Sequence, residues 1–205
     1  METLISALVS KSGMNFVVSL ERLAVKPLDA LFFGKFIHAK SDAEVELLAQ
    51  SVYEQVDASG FDFDAVIGVK RGGMPLARYL SQKLDVPLDS IAIKTRSASR
   101  FSMIPFLQDV NFPVQFTELP QGAYKGRSVL VVDDDVATGK TLERALDYFG
   151  EGAKTAVLSD RTFGRSEFRP DFYGEKVMTL PKFIVFPWKS VSPDYRDPLT
   201  FEISA

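Results

Sequence analysis

Three consecutive carboxylates, followed by small and hydroxyl-bearing residues, are the part of this sequence best suited to chemistry. Asp133, Asp134 and Asp135 directly follow the apolar run at 129–132, and residues 137–141 read Ala-Thr-Gly-Lys-Thr. A β-branched apolar run of this length is typical of a parallel strand buried on both faces. The acids should therefore stand at the carboxyl end of that strand, where open α/β sheets bind their ligands.

The segment 137–141 leads into an amphipathic helix, whose apolar face is formed by Leu142, Ala145, Leu146 and Phe149. A turn that opens a helix presents backbone N–H groups at the positive end of the helix dipole, so it can hold a phosphate. Carboxylates beside a phosphate site are consistent with a ligand that also offers hydroxyl donors or a divalent cation. A sugar phosphate with Mg²⁺ meets both conditions.

A second candidate anion site is the turn Lys70-Arg-Gly-Gly73, which lies between a predicted strand at 65–69 and a helix with Pro75 in its first turn. Two glycines let backbone N–H groups approach oxyanions closely. Arg71 can bind phosphate oxygens through two parallel hydrogen bonds. Taken alone, this could equally be a structural glycine turn with two solvated basic residues. Together with the acidic segment, it indicates a turn that binds phosphate oxygens.

The remaining elements predict the layers that position these turns. Ser41 and Glu44 form a capping box that begins a helix with an apolar stripe. Strands are predicted at 91–93 and 155–158, after the second and third helices. Alternation of strand and helix predicts βαβ units. We therefore expect an α/β fold with a parallel sheet of about five strands flanked by helices.

The acidic segment resembles the phosphoribosyl-pyrophosphate (PRPP) motif of type I phosphoribosyltransferases, in which four apolar residues and two acids precede Thr-Gly-x-Thr. Asp135 is a departure, because the family normally has an apolar residue there. Residues 66–73 resemble the family's pyrophosphate loop, which often contains a cis non-proline peptide. The resemblance implies the family's fold with a small hood subdomain. It also implies a glycosyltransferase (pentosyltransferase) reaction, in which phosphoribosyl passes from Mg-PRPP to a ring nitrogen of a nucleobase and pyrophosphate is released.

The resemblance also implies roles for individual residues. Asp133 and Asp134 would bind the ribose hydroxyls directly or through Mg²⁺, the expected cofactor, and would form the catalytic group with Arg71. The 5′-phosphate would be bound by Ala137, Thr138, Gly139, Lys140 and Thr141. The pyrophosphate would be bound by Lys70, Arg71, Gly72 and Arg96.

The C-terminal part resembles the 6-oxopurine branch, which has a Lys after the last core strand, then Pro-Asp-Tyr-Tyr and Trp-Ile-Val-Phe-Pro-Trp. This chain has Arg161, then Pro-Asp-Phe-Tyr at 170–173 and Phe-Ile-Val-Phe-Pro-Trp at 183–188. The resemblance implies that Arg161, Phe183 and Ile184 contact a guanine, hypoxanthine or xanthine base.

A second departure concerns the proton on N7 of the purine. Ala137 stands where the 6-oxopurine branch has an Asp that takes this proton, and adenine and uracil enzymes also have Ala at that place. Two alternatives therefore stay open. The protein could be a transferase for adenine or a pyrimidine, or a regulatory protein that binds PRPP with the same fold.

Composition excludes several other classes of function. The 205 residues include no Cys, so disulfides and thiolate metal sites are excluded. With one His, His38, we do not expect a His-rich metal site or a His-based triad. The net charge of −3 gives no reason to expect nucleic acid or a membrane surface as partner. No apolar run approaches the roughly 20 residues of a membrane span, and the N-terminal segment is a poor signal peptide. We expect a cytoplasmic protein.

Three parts are expected along the chain. Residues 1–40 would form an N-terminal extension that serves as a hood or a dimer contact, because the apolar stretch at 28–33 must pack against the domain or a second subunit. Residues 41–160 would form the PRPP-binding core, with a flexible loop at 95–122 of the length typical of active-site lids. Residues 161–205 would form a hood and base-binding segment. A homo-oligomer is expected.

Overall fold

The fold is described from a computed structural model, which covers residues 37–95, 114–163, 166–178 and 183–189. The chain divides into two compact units. Within the described residues, the larger unit contains 41–95, 114–163 and 166–178, and the smaller contains 37–40 and 183–189. No helix in these described segments is both long enough and apolar enough to span a membrane.

The larger unit is built on a six-stranded sheet with helices packed on it. Its strands are β2 (Ala65–Val69), β3 (Leu88–Thr95), β4 (Val114–Glu118), β5 (Val129–Val136), β6 (Ala153–Asp160) and β7 (Phe172–Lys176). Its helices are α1 (Asp42–Ala58), α2 (Met74–Leu84) and α3 (Lys140–Phe149). The strand order is β4-β3-β2-β5-β6-β7, and every neighbouring pair is parallel except β3 with β4. The predicted α/β fold with a largely parallel sheet is confirmed.

The hydrophobic pattern of the sequence explains this arrangement. All five residues of β2 and the first four of β5 are buried, as expected for central strands covered on both faces. The side chain of Ser41 accepts a hydrogen bond from the Glu44 N–H, and Glu44 reaches back to the Ser41 N–H, so the predicted capping box begins α1. The buried stripes of α1 and α3 are Val45, Ala49, Val52 and Val56 on the first and Leu142, Ala145 and Phe149 on the second.

The edge strand β7 is held by side-chain hydrogen bonds. The amide of Gln55 donates to the Tyr173 carbonyl at 2.7 Å and accepts from the Tyr173 N–H at 3.3 Å. Asp171 accepts from the N–H and hydroxyl of Thr155 on β6, at 2.8 and 2.9 Å. The Pro-Asp-Phe-Tyr stretch therefore anchors the edge of the sheet.

Two local predictions were wrong. Strand β5 continues to Val136, so the three acids lie within the strand and do not follow it. The predicted loop at 95–122 contains β4, whose alternating sequence Val-Gln-Phe-Thr-Glu is typical of a half-buried strand. Phe116 of β4 packs against Tyr148 with ring centroids 5.1 Å apart. Residues 96–113 of that loop, including Arg96, lie outside the described residues.

The smaller unit is a two-stranded parallel sheet of β1 (Ile37–Ala39) and β8 (Phe183–Val185). The Lys40 N–H extends the pairing by donating to the Val185 carbonyl at 2.9 Å. A 3-10 helix (Pro187–Lys189) follows β8. The rings of Phe186 and Trp188 are stacked, with centroids 5.0 Å apart. The two parts of this unit are more than 140 residues apart in sequence, as the numbering of the strands shows.

Candidate active site

The predicted pyrophosphate turn at 70–73 packs against the carboxyl half of β5. A Cβ added at Gly73 would stand 2.2 Å from the Val132 carbonyl oxygen and 2.7 Å from the Asp133 Cα. A Cβ at Gly72 would stand 2.3 Å from Oδ2 of Asp134. These distances are shorter than a side chain tolerates, so both glycines are required for the turn to lie this close to the acids.

The turn at 70–73 is held by backbone hydrogen bonds to the neighbouring strands β2 and β3. The Lys70 N–H donates to the Ile91 carbonyl at 2.7 Å, and the Gly73 N–H donates to the Val69 carbonyl at 3.0 Å. The peptide bond between Lys70 and Arg71 is cis, as the resemblance implied. The Lys70 ammonium forms an ion pair with Glu118 of β4. The side chain of Arg71 is exposed.

The three acids are not equivalent. Alternation along a strand places Asp133 and Asp135 on one face of the sheet and Asp134 on the other. Asp134 is buried, at 5 % exposure, whereas Asp133 is half-buried. Oδ1 of Asp133 accepts from the Asp134 N–H at 2.9 Å, and Oδ1 of Asp134 accepts from the Asp135 N–H at 2.8 Å.

The chemistry of these donors fits a magnesium ion that shares its ligands with a phosphate. Carboxylate oxygens suit Mg²⁺, which keeps several waters and is usually bound by one or two carboxylates together with substrate phosphates. Within residues 37–95, 114–163, 166–178 and 183–189, no group of three or more His, Cys, Asp or Glu side chains could hold a metal ion. Asp133 and Asp134 offer carboxylate oxygens of the kind that Mg²⁺ takes in proteins.

The predicted phosphate turn opens α3. Gly139 precedes the helix in a left-handed conformation, with φ of 80°, and its carbonyl accepts from the Glu143 N–H at 2.8 Å. A Cβ at Gly139 would stand 2.3 Å from Cγ of Phe168. Lys140 and Thr141 form the first turn of α3. Backbone N–H groups of this first turn have no partner within the helix, so the turn can bind a phosphate.

Phe168 was missed by sequence reasoning, because nothing in the pattern around it predicts a contact with Gly139. Its backbone is fixed by Arg169, whose Nη1 donates to the carbonyls of Phe168 at 2.6 Å and Ser166 at 2.7 Å. The same Nη1 donates to the Thr162 hydroxyl at 3.2 Å. The segment after β6 therefore packs against the predicted phosphate turn.

The predicted base donor, Arg161, forms a largely buried ion pair with Asp135. The two side chains are 16 % and 13 % exposed, respectively. The backbone N–H of Arg161 also donates to the Val136 carbonyl at 2.8 Å, which holds the residue beside β5. The sequence analysis did not predict a carboxylate beside Arg161. The structure shows an acceptor directly at the guanidinium.

Asp160 was also missed, although an acidic residue at the carboxyl end of a buried strand is a candidate site residue. It is 1 % exposed, and its Oδ1 accepts from the N–H and hydroxyl of Thr162 at 2.9 and 2.6 Å. Its Oδ2 is buried and has no hydrogen-bond partner among the residues that the structure describes. The carboxyl end of β6 therefore carries two charged residues in succession, Asp160 and Arg161, with different partners.

The other predicted base residues, Phe183 and Ile184, belong to the smaller unit. Both lie on β8, and Ile184 is buried at 6 % exposure. Arg161 belongs to the larger unit.

Comparison with known proteins identifies the family. The family model of the phosphoribosyl transferase domain matches residues 36–190. The transcriptional regulator GfcR of Methanothrix thermoacetophila is 29 % identical over 115 residues, which cover 56 % of this chain and 52 % of the regulator. The hypoxanthine/guanine phosphoribosyltransferase of Methanothrix soehngenii is 28 % identical over 176 residues, which cover 80 % of this chain and 92 % of that enzyme.

A solved structure agrees with the sequence matches. The crystal structure of a purine phosphoribosyltransferase from Pyrococcus horikoshii superimposes with a TM-score of 0.59 at 26 % identity, covering 78 % of this chain and 98 % of that one. The matched family model spans the sheet, both predicted anion-binding turns and the acids of β5. The chain belongs to the type I phosphoribosyltransferase family.

Proposed function

We propose that this protein transfers phosphoribosyl from Mg-PRPP to guanine, hypoxanthine or xanthine, giving a nucleoside 5′-monophosphate and pyrophosphate. The proposal rests on the packing of the 70–73 turn against β5, with Gly72 against Asp134 and Gly73 against Asp133. A ligand bound there would place a pyrophosphate and a pair of ribose hydroxyls side by side. PRPP has these groups at adjacent carbons of one sugar.

Bond breaking at carbon 1 of the ribose creates positive charge on the sugar and negative charge on the departing pyrophosphate. Arg71, Lys70 and the backbone N–H of Gly72 would stabilise the pyrophosphate. Asp133 and Asp134 would accept hydrogen bonds from the ribose hydroxyls and hold the sugar in place. They would also be the protein ligands of Mg²⁺, which supplies positive charge at the phosphates.

The 5′-phosphate would be bound by the turn at 137–141. The Gly139–Phe168 contact fixes this turn, and the N-terminus of α3 supplies N–H donors and a favourable dipole. The 5′-phosphate is remote from the reacting carbon. Its binding energy would therefore serve to orient the sugar for reaction.

A purine is supported by the donor character of Arg161 and by the similarity to enzymes whose names specify purines. Guanine and hypoxanthine offer a carbonyl at C6, which an arginine can bind. The similarity to the hypoxanthine/guanine enzyme extends over 92 % of that protein.

A regulatory protein that binds PRPP is the second candidate, and the match to GfcR favours it. That match covers only about half of the regulator's length. The net charge of −3 also gives no general reason to expect binding to DNA.

One experiment separates the two candidates. Pyrophosphate release would be measured with PRPP, Mg²⁺ and each free nucleobase in turn, alongside calorimetric binding of PRPP. Release with guanine or hypoxanthine supports the proposed enzyme. PRPP binding without release for any base supports the regulatory protein. Failure to bind PRPP contradicts both.

A further inference from the structure

The ion pair between Asp135 and Arg161 joins two residues that come from different strands of the sheet. Asp135 lies in β5, in register with Ser159 of β6, and Arg161 directly follows the end of β6. We infer that Asp135 is a positioning residue, which holds the Arg161 guanidinium so that the pair determines which base is accepted. This inference rests on the proposed function, because it assigns the base specificity of the same site.

Because both side chains are mostly buried, each charge depends on the other for its stabilisation. A charged side chain removed from water is costly unless an opposite charge lies beside it, and both side chains here are mostly buried. Asp135 is also fixed by its strand, since β5 is paired to β6 on both sides of it, at Asp133 and Val136. The position of the guanidinium is therefore set by the sheet and not by the long, flexible arginine side chain alone.

The geometry of the guanidinium explains why fixing it produces specificity. The group is planar and its five N–H donors point in set directions, of which one carboxylate engages at most two. When Asp135 binds one edge of the guanidinium, the directions of the N–H donors on its other edges are also set. A carbonyl oxygen is the complementary partner for such an edge, and an amino group is not.

Charge balance indicates a base and not a phosphate as the ligand of this pair. Asp135 neutralises the positive charge of Arg161, so the pair has little net attraction for an anion. The pair therefore offers directional hydrogen bonding to a neutral group.

The test compares ligands that share a sugar phosphate and differ in the base. Calorimetry would measure binding of ribose 5-phosphate, GMP and AMP to the wild type and to Asp135→Asn. The matched control is Asp64→Asn, which breaks an ion pair with Arg127 at the opposite, amino end of β2 and β5. In Asp135→Asn the affinity for GMP should fall by about tenfold or more, while that for ribose 5-phosphate stays within about twofold. The preference for GMP over AMP should shrink, and the control should match the wild type for all three ligands.

A second variant tests whether the effect of Asp135→Asn arises from impaired folding. Asp135→Asn leaves the Arg161 charge without its carboxylate, so the double variant Asp135→Asn/Arg161→Gln removes both charges together. It should fold, as shown by an unchanged circular dichroism spectrum, and should show the same loss of preference for GMP.

Two results would overturn the inference. One is an unchanged GMP-to-AMP ratio in both variants. The other is an equal loss for all three ligands, which would indicate a structural role for the pair. If the wild type itself binds none of the ligands, the proposed function fails, and the inference fails with it. A wild type that binds all three with no effect of the variants defeats the inference alone.

Discussion

The carboxylate of Asp134 lies so close to the backbone of Gly72 that a methyl group at position 72 would stand 2.3 Å from Oδ2 and 2.6 Å from Cγ. This contact joins a turn that follows β2 to the strand β5 beside it. It brings together two segments more than 60 residues apart in the sequence, as their numbering shows. The glycine at position 72 is therefore explained by a contact with the acid and not by a left-handed backbone.

Replacing Gly72 by Ala should weaken PRPP binding. The added methyl must displace either the turn or the Asp134 carboxylate, and both belong to the proposed site. We expect the affinity for PRPP to fall by at least about tenfold, corresponding to about 1.4 kcal/mol. Calorimetry with Mg-PRPP would measure this.

The control for this variant is Gly60→Ala, because a Cβ at Gly60 would meet nothing within 4 Å, although φ there is 63°. This change should lower stability by about 1 kcal/mol and leave PRPP affinity unchanged. Equal PRPP affinity in wild type and Gly72→Ala would contradict the placement of pyrophosphate at this turn.

Neutralising either of the first two acids should reduce binding of the sugar. Asp133→Asn and Asp134→Asn each remove a charged acceptor of a hydrogen bond, worth about 1.5–3 kcal/mol. PRPP affinity or turnover should therefore fall by roughly ten- to a hundredfold, at about tenfold per 1.4 kcal/mol. Thermal denaturation would establish that the fold is intact. Unchanged calorimetric affinity in both variants would defeat the assignment of the ribose site.

Phe168 should support the 5′-phosphate site without contacting the phosphate. The Phe168 ring lies against the Cα of Gly139, so Phe168→Ala removes the packing that fixes the turn. The change should cost about 2 kcal/mol of stability, less than for a fully buried ring. Affinity for ribose 5-phosphate should fall by about tenfold.

Phe163→Ala is the matched control, since Phe163 lies in the same segment after β6 and is 50 % exposed. It should change neither stability nor affinity appreciably. Denaturation midpoints and calorimetry with ribose 5-phosphate would test both variants. If Phe168→Ala binds ribose 5-phosphate like the wild type, the contact has no role in shaping the turn.

The sequence predicted the larger elements well because their signals are local. The buried run of β2, the capping box at Ser41 and the apolar face of α3 each follow from a few neighbouring residues. Strand β4 was missed because five alternating residues beside a long irregular stretch give a weak signal. The extent of β5 was underestimated, since three adjacent acids are unfavourable in an isolated strand and are accommodated here by pairing with β6.

Contacts between distant segments could not be predicted in this way. The pairing of Asp135 with Arg161 depends on β5 and β6 being neighbours in register. The contact of Gly139 with Phe168 depends on the path of an irregular segment. No periodicity encodes either contact, because both depend on tertiary structure.

The ion pair of Lys70 with Glu118 should compete with pyrophosphate. The two side chains are 35 % and 53 % exposed, so the pair contributes little stability, about 0–1 kcal/mol. Pyrophosphate must attract the Lys70 ammonium away from Glu118 or share it. Glu118→Gln should therefore fold normally and bind pyrophosphate up to a few times more tightly at low salt, with a smaller gain at high salt. Glu46→Gln, on the exposed face of α1, is a control for the change in net charge. Weaker binding in Glu118→Gln would indicate that the carboxylate positions Lys70 for the ligand.

The last prediction concerns the choice of base. Guanine and hypoxanthine present a carbonyl at C6, and N7 becomes a second acceptor once it has lost its proton, so an arginine can bind both. Adenine presents an amino donor at C6, so a guanidinium N–H would face another donor. An unpaired buried group costs about 1–3 kcal/mol. We therefore expect kcat/KM for guanine or hypoxanthine to exceed that for adenine by at least about tenfold.

The structure determines how this prediction is best tested. Arg161→Ala should cause a large loss of activity, but it also leaves the buried Asp135 carboxylate without its cation, which costs about 3–5 kcal/mol. Arg161→Lys keeps the charge beside Asp135 and removes the planar guanidinium. It therefore separates the loss of base recognition from the loss of stability. It should retain most of the stability and PRPP affinity, and should lose most of the preference for guanine. Steady-state kinetics with guanine, hypoxanthine, adenine, uracil and orotate would measure the outcome. Equal or better activity with adenine, uracil or orotate in the wild type would overturn the assignment of the base and leave the PRPP site standing.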